Sequence, residues 1–283
     1  MGYQLDFTKM HGAGNDFIVM DGRKQGFPLN MIREKASLLC NRRTGIGADG
    51  LLILGPSDIS DYHMHYFNSD GSEAGMCGNG ARCLAMFASE KGFPKQAFFK
   101  TDNAEYRADV HDHYVSIYFP DVHQPETIQI ENESWCDIHT GTRHVVSISQ
   151  DYAREPVETF RLTGKRIRNR ADLFPDGTNV NFAHILDQNR LKLVTYERGV
   201  EDVTPACGTG AIATAITHTY LRQATPSSPD YPIASEHHIQ IECPGGPLEV
   251  SFGVTRKANN SFFYNNIILH GPAVSIYNGS ISI

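Results

Sequence analysis

Residues 66–85 read YFNSDGSEAGMCGNGARCLA, and residues 196–215, 130 positions later, read YERGVEDVTPACGTGAIATA. Laid over one another, the windows match Tyr66 with Tyr196, Cys77 with Cys207, Gly78 with Gly208, Gly80 with Gly210, Ala81 with Ala211 and Ala85 with Ala215. Ordinary composition would give roughly one or two identities in such a window, so the chain reads as two related halves.

Each copy has the order strand, loop, helix. His63 to Phe67 and Leu191 to Tyr196 have strand character. After a turn-rich link, the spacing predicts helices from about Gly78 to Glu90 and from about Gly208 to Gln223. Lys91, Gly92 and Pro94 stop the first, and Thr225-Pro226 with a Ser/Pro-rich loop stops the second. Elsewhere short β-like runs dominate: Leu5 to Lys9, Phe17 to Asp21, Leu51 to Leu54, Glu105 to Val110, Val115 to Phe119, His144 to Ser149, Val180 to Leu186, Ile239 to Cys243, Leu248 to Phe252 and Phe262 to Leu269. Many short strands with few helices argue for an α+β fold. The polar, Pro-containing stretch Pro120 to Thr127 is the expected boundary between halves.

Bulk properties exclude several classes. The formal charge of −7 offers no footprint for nucleic acid, and no apolar run approaches the roughly 20 residues that cross a bilayer. The start, MGYQLDFTKMHG, lacks the order of a signal peptide, and Asp6 stands where a myristoylation signal needs Ser or Thr. A cytoplasmic protein is expected. Six cysteines in 283 residues are too few for a disulfide scaffold, and none form a Cys-x-x-Cys pair. Cys40, Cys83, Cys136 and Cys243 read as small core residues.

Cys77 and Cys207 read differently. A cysteine directly before a Gly-rich helix start sits where unpaired N–H groups and the positive end of the helix dipole converge, which favours a thiolate and can hold an anion. Two such elements related by a pseudo-twofold axis would place two sulfurs on opposite sides of one ligand. Inverting a stereocentre requires a proton removed from one face and delivered to the other. The weakly acidic α-proton of an amino acid also needs aligned N–H donors for the developing charge, in a site closed to water. No Lys-based cofactor motif and no GxGxxG or phosphate loop in the right context is present, so the cofactor-free route is the coherent one, and no metal site is expected.

The residues then carry a family resemblance. KMHGAGNDF (Lys9 to Phe17), RTGIGADGLL (Arg43 to Leu52), FNSDGSEAGMCGNGARC (Phe67 to Cys83), GTNVNF (Gly177 to Phe182), YERGVEDVTPACGTGA (Tyr196 to Ala211) and GPAVSIYNG (Gly271 to Gly279) together resemble the diaminopimelate epimerases. The resemblance runs nearly end to end. It implies two similar pseudo-symmetric domains, 1–122 plus 271–283 and 123–270, each a mixed barrel-like sheet around a central helix, with the active site in the cleft between them. It implies interconversion of LL- and meso-diaminopimelate in lysine and peptidoglycan precursor biosynthesis, by a homodimer without cofactor. The catalytic pair falls on Cys77 and Cys207. The α-carboxylate positions fall on Gly78, Asn79, Gly208 and Thr209, and the distal amino-acid end on Asn15, Asn68, Asn179, Glu197 and Arg198. Arg198 can fork onto the distal carboxylate.

Two departures stand out. Gly141-Thr142-Arg143-His144 replaces the Gly-Asn-Pro-His of many relatives, so the candidate Thr142 offers one donor where Asn offers two. His144, beside it, is a further candidate. Gly50 stands where some members have Gln. The nearest rival is a proline racemase or hydroxyproline epimerase, which resembles MCGHG rather than MCGNG; outside enzymes, the rival is an amino-acid binding protein. Phenazine-type isomerases share the fold and lack the paired cysteines. His63 and His65 read as strand polarity, Cys136 and His139 as a loop coincidence, and the basic run Lys165 to Arg170 as a solvated helix face.

Overall fold

The computed structural model describes residues 4–24, 26–73, 75–102, 104–112, 114–223 and 234–282; the expected stop at Thr225-Pro226 lies outside them. The chain divides into two compact units, Met1–Tyr118 with Gly271–Ile283, and Phe119–His270. No described helix is long and apolar enough to cross a membrane.

The first unit is built from β1 (Gln4–Gly12), β2 (Asn15–Asp21), α1 (Leu29–Glu34), α2 (Ala36–Cys40), β3 (Gly50–Gly55), β4 (Tyr62–Asn68), α3 (Gly78–Glu90), β5 (Gln96–Lys100), β6 (Glu105–Val110) and β7 (Val115–Phe119). The second holds β8 (Val122–His123), β9 (Glu126–Ile130), β10 (Glu133–His139), β11 (Arg143–Ile148), α4 (Val157–Arg168), β12 (Asn179–Asp187), β13 (Arg190–Glu197), β14 (Asp202–Thr204), α5 (Gly208–Gln223), β15 (Ala234–Cys243), β16 (Gly246–Arg256) and β17 (Phe262–Gly271). The last strand, β18 (Val274–Ser282), returns to the first unit and pairs with β1.

The duplication read from two short windows extends through both sheets. In the first unit the strand order is β18-β1-β2-β3-β4-β5-β6-β7. Its successive pairings are antiparallel, antiparallel, parallel, antiparallel, parallel, antiparallel and antiparallel. In the second, β9-β10-β11-β12-β13-β15-β16-β17 repeats that series step for step. The short β14 and β8 are additions, lying on β13 and β17. Each parallel pair needs a crossover, and the crossovers carry the helices. β2 to β3 carries α1 and α2, as β11 to β12 carries α4. β4 to β5 carries α3, as β13 to β15 carries α5.

The two kinds of helix differ in what they bury. In α3 every residue from Gly78 to Ala85 is buried, and in α5 every residue from Gly208 to Thr219. Such all-round burial explains their small residues: Gly80 and Gly210 lie where a Cβ would come 3.1 Å from the Leu52 side chain and 2.6 Å from Asn181 Oδ1. The outer helices bury only a stripe. Ile32 and Leu39 of α1 and α2 pack with Phe7, Ile18, Met20 and Ile53, and Phe160 and Ile167 of α4 pack with Trp135, Val145, Val180 and Phe182. Each such side chain taken out of water stabilises its unit by about 1.5–3 kcal/mol before entropy is counted. The molecule is therefore an α+β fold made of two similar units.

The break between the units falls between Tyr118 and Phe119, just ahead of Pro120 to Thr127, and that stretch runs into β8 and β9 of the second unit. One expectation is corrected. Cys136 and His139 are not in a loop; both lie on β10, where Cys136 is buried and His139 exposed. The basic run ends α4 as a largely paired surface, with Arg166 on Glu131, Arg168 on Glu201 and Arg170 on Asp172.

Candidate active site

Cys77 has extended backbone, φ −129° and ψ 115°, immediately ahead of α3, and its Sγ accepts from the Gly80 amide at 3.4 Å. The sulfur thus occupies the helix N-cap, where a thiolate gains from both the N–H donor and the dipole. Asn15, at the start of β2, lies on its other side: Cys77 Sγ is 3.7 Å from Asn15 Oδ1, and Asn79 Nδ2 donates to the same oxygen at 3.3 Å. Asn15 Nδ2 donates to Asp49 at 2.7 Å, which fixes the amide so that its oxygen faces the sulfur. The protonated thiol has an acceptor in Asn15 and the thiolate has a donor in Gly80. Arg42 and Lys9 anchor this network. Burial opposes ionisation of Asp16, but hydrogen bonds from Arg42 and Lys9 hold its carboxyl well below the usual range.

Asn68 closes β4 and its amide donates to Ser72 Oγ at 3.0 Å, a turn role. Across the sheet from it, Gly50 leaves no room for a side chain, since a Cβ there would lie 2.7 Å from Phe67 O.

In the second unit Cys207 precedes α5, and its carbonyl accepts the Ala211 amide in the helix's first turn. Its Sγ lies 3.6 Å from Thr209 Oγ1. Thr209 is tied to His144: His144 Nε2 and Thr209 Oγ1 are 3.0 Å apart. The direction of that bond follows from the residues behind it. Asn181 Nδ2 donates to the Val145 carbonyl at 3.1 Å, which accepts only, and the same nitrogen lies 3.0 Å from His144 Nδ1. Nδ1 is therefore the acceptor nitrogen and Nε2 carries the proton donated to Thr209. Thr195 Oγ1 donates to Asn181 Oδ1 at 2.9 Å and completes the chain. Because the Thr209 hydroxyl accepts from His144, its own proton is left free to point to Cys207 Sγ. His144 is wholly buried, and burial, then the charges of His139 and Arg198, pushes its imidazole down to about 3. It is neutral at physiological pH.

Three bystander thiols contrast with this. Burial pushes Cys40 and Cys83 up to about 12 and Cys136 up to about 11, so none is a ready acid or base.

A pocket of about 230 Å³ in the second unit is lined by Thr142, Asp176 and Arg198 among others. Arg198 donates from Nη1 to the Asp176 carbonyl at 3.0 Å and from Nη2 to Thr142 Oγ1 at 3.3 Å, while its backbone amide donates to Asn179 Oδ1 at 2.9 Å. Asn179 donates to the Arg143 carbonyl at 3.1 Å. Glu197 accepts from Thr204 Oγ1 at 2.9 Å. The structure thus joins Thr142, Asn179 and Arg198 in one group, Asn15, Cys77 and Asn79 in another, and His144, Cys207 and Thr209 in a third.

Arg82, Asp49 and Asn181 contact the candidate residues and are left out by the sequence reading. Arg82 carried a signal: an arginine inside an otherwise small and apolar helix is rarely buried without a task. It is wholly buried and donates to Gly78 O at 3.1 Å, Asn79 Oδ1 at 2.7 Å and Pro272 O at 3.3 Å.

Known proteins match the chain over nearly its whole length. The family model described as diaminopimelate epimerase matches residues 7–116 and 136–264. Diaminopimelate epimerases of Chlorobaculum tepidum and Flavobacterium psychrophilum are each 37% identical to the chain, over 97% and 98% of it and the whole of each relative. Among solved structures, a phenazine biosynthesis protein of the PhzF family from Bacillus anthracis superposes with a TM-score of 0.72 at 13% identity, covering 99% of this chain and 100% of that one. A hydroxyproline epimerase from Agrobacterium vitis gives 0.70 at 16% identity, covering 99% and 91%. These two are similar in fold. The sequence matches, which span both cysteine elements, make the chain a member of the diaminopimelate epimerase family.

Proposed function

We propose that this protein is an isomerase that interconverts LL- and meso-diaminopimelate, with Cys77 and Cys207 as its paired acid and base and no cofactor. The observation that carries the reading is the duplication: at the same step of two matching sheets, one cysteine stands directly before each buried central helix.

One cysteine starts as thiolate and the other as thiol. The thiolate takes the α-proton, breaking the Cα–H bond and forming S–H, while charge moves onto the α-carboxylate. Backbone N–H groups at Gly78, Asn79, Gly208 and Thr209 meet that charge. The opposite thiol then gives its proton to the other face, and the pair ends with protonation states exchanged. The scheme requires the two sulfurs to address opposite faces of one carbon. Gly80 N–H stabilises the Cys77 thiolate and the Thr209 hydroxyl, polarised by His144, stabilises that of Cys207. Arg198, Asn179 and Thr142 recognise the distal carboxylate, with Asn15, Asn68 and Glu197 completing that end.

The same reading includes a homodimer in the cytoplasm. Val274, Ile276 and Tyr277 on β18 leave large apolar side chains exposed, which suits a contact with a second copy. The test of function is epimerisation of purified LL- and meso-diaminopimelate in chelator and without pyridoxal phosphate. Absence of turnover, or turnover restored only by metal, removes the proposal.

A further inference from the structure

On β4, well before its last residue Asn68, two histidines point to the same side of the sheet, as residues two apart on a strand must. The rings of His63 and His65 lie with centroids 4.0 Å apart, tilted by 36°. The turn between β5 and β6 brings Asp102 to them, and one ligand atom from each of the three lies within 4.8 Å of the others. His63 Nε2 is buried and sits 3.1 Å from Asp102 Oδ1 without the alignment of a hydrogen bond.

A separation of 3.1 Å also fits two ligands of one cation. Two atoms each about 2.1 Å from one cation and 3.1 Å apart subtend about 95° at it, between octahedral and somewhat compressed tetrahedral values. Gly55 makes room, since a Cβ there would lie 2.6 Å from His65 Nε2. Two imidazoles with one carboxylate suit a borderline divalent ion such as Zn²⁺, and water can fill the remaining positions.

We propose that His63, His65 and Asp102 form a binding site for a divalent transition-metal ion that ties β4 to the β5–β6 turn. His65 and Asn68 are three positions apart, roughly 10 Å of strand, and the ion takes no part in proton transfer. Its role is to clamp the sheet that wraps α3.

The test uses the full-length protein, stripped with chelator and titrated with Zn²⁺ alone and, separately, with Co²⁺ for its visible absorption. One equivalent should bind the unaltered protein and a His237→Gln/His238→Gln control, raising the unfolding temperature. Asp102→Asn and His65→Gln should each weaken that equivalent at least tenfold. Asp102 is exposed, so its variant keeps the fold, which circular dichroism verifies. No uptake by the unaltered protein, or full-affinity uptake by either single variant, overturns the site. Epimerase activity measured in chelator is a separate readout and stands or falls independently.

Discussion

Arg82 Nη2 donates a 2.7 Å hydrogen bond to Asn79 Oδ1, so a wholly buried cation holds the side chain whose amide nitrogen reaches the Asn15 oxygen beside Cys77. The first cysteine's surroundings are therefore braced from inside its own helix. Each buried acceptor left unsatisfied costs about 1–3 kcal/mol. Arg82→Met should lower unfolding free energy by at least about 2 kcal/mol in urea titrations and reduce kcat/KM. A variant with unchanged stability and rate would show that this brace carries no weight.

His144 makes stability depend on pH in a defined window. Its folded pKa, about 3, lies below the unfolded value near 6.5. The unfolded chain therefore binds a proton that the folded one refuses, and stability present above pH 6.5 is lost as pH falls towards 3. The slope is about 1.4 kcal/mol per pH unit. His144→Gln should be less stable at pH 7 yet flatter across that window, as denaturant midpoints at several pH values would record. Parallel curves for the two proteins would contradict a buried neutral imidazole.

Thr209→Val removes the hydroxyl between His144 and Cys207 while leaving the backbone N–H in place. A hydrogen bond to a charged group is worth about 1.5–3 kcal/mol, so kcat should fall roughly 10- to 100-fold with a smaller change in KM. Thr209→Ser should restore most of the loss. An unaffected Thr209→Val enzyme would mean that the hydroxyl does not serve the sulfur.

Arg198→Ala should raise KM for diaminopimelate far more than it lowers kcat, because the guanidinium holds the end that does not react. An already poor substrate lacking the distal carboxylate should suffer little further. Equal losses for both substrates would remove Arg198 from recognition.

The two-thiol scheme also makes a labelling prediction. In heavy water, a single turnover should place solvent deuterium on the inverted product while recovered starting epimer stays mostly unlabelled, since the donor thiol has exchanged and the acceptor has just received the substrate's proton. Cys77→Ala and Cys207→Ala should each abolish epimerisation, and the double variant should lose no more than either. Early product that kept its own α-hydrogen would rule the pair out.

Much of this is legible in the sequence because its signals are local. A cysteine, two glycines and an alanine-rich run specify a cap, a close approach and a buried helix within ten residues, twice over. Strands such as Glu105–Val110 and Val115–Phe119 are bounded by turn residues and stand where the sequence alone puts them. The strand Gln96–Lys100 is harder to see: it is short, follows Pro94, and its buried Ala97 and Phe99 flank an exposed Phe98. Glu133–His139 is masked by polar residues because only Trp135, Cys136 and Ile138 are buried. The bonds that orient Asn15, Asn181 and His144 join residues tens of positions apart, and only a known strand order puts them side by side.

The pairing of β18 with β1 has a consequence during synthesis. The strand that completes the first sheet is translated only after the whole of the second unit, so the N-terminal unit emerges with the β1 edge it needs to cover still bare. The second unit has every strand of its sheet in one contiguous stretch and can close as soon as β17 leaves the ribosome. The half made first is thus the half finished last, and a nascent chain stalled before Val274 would carry one complete unit and one with an open seam.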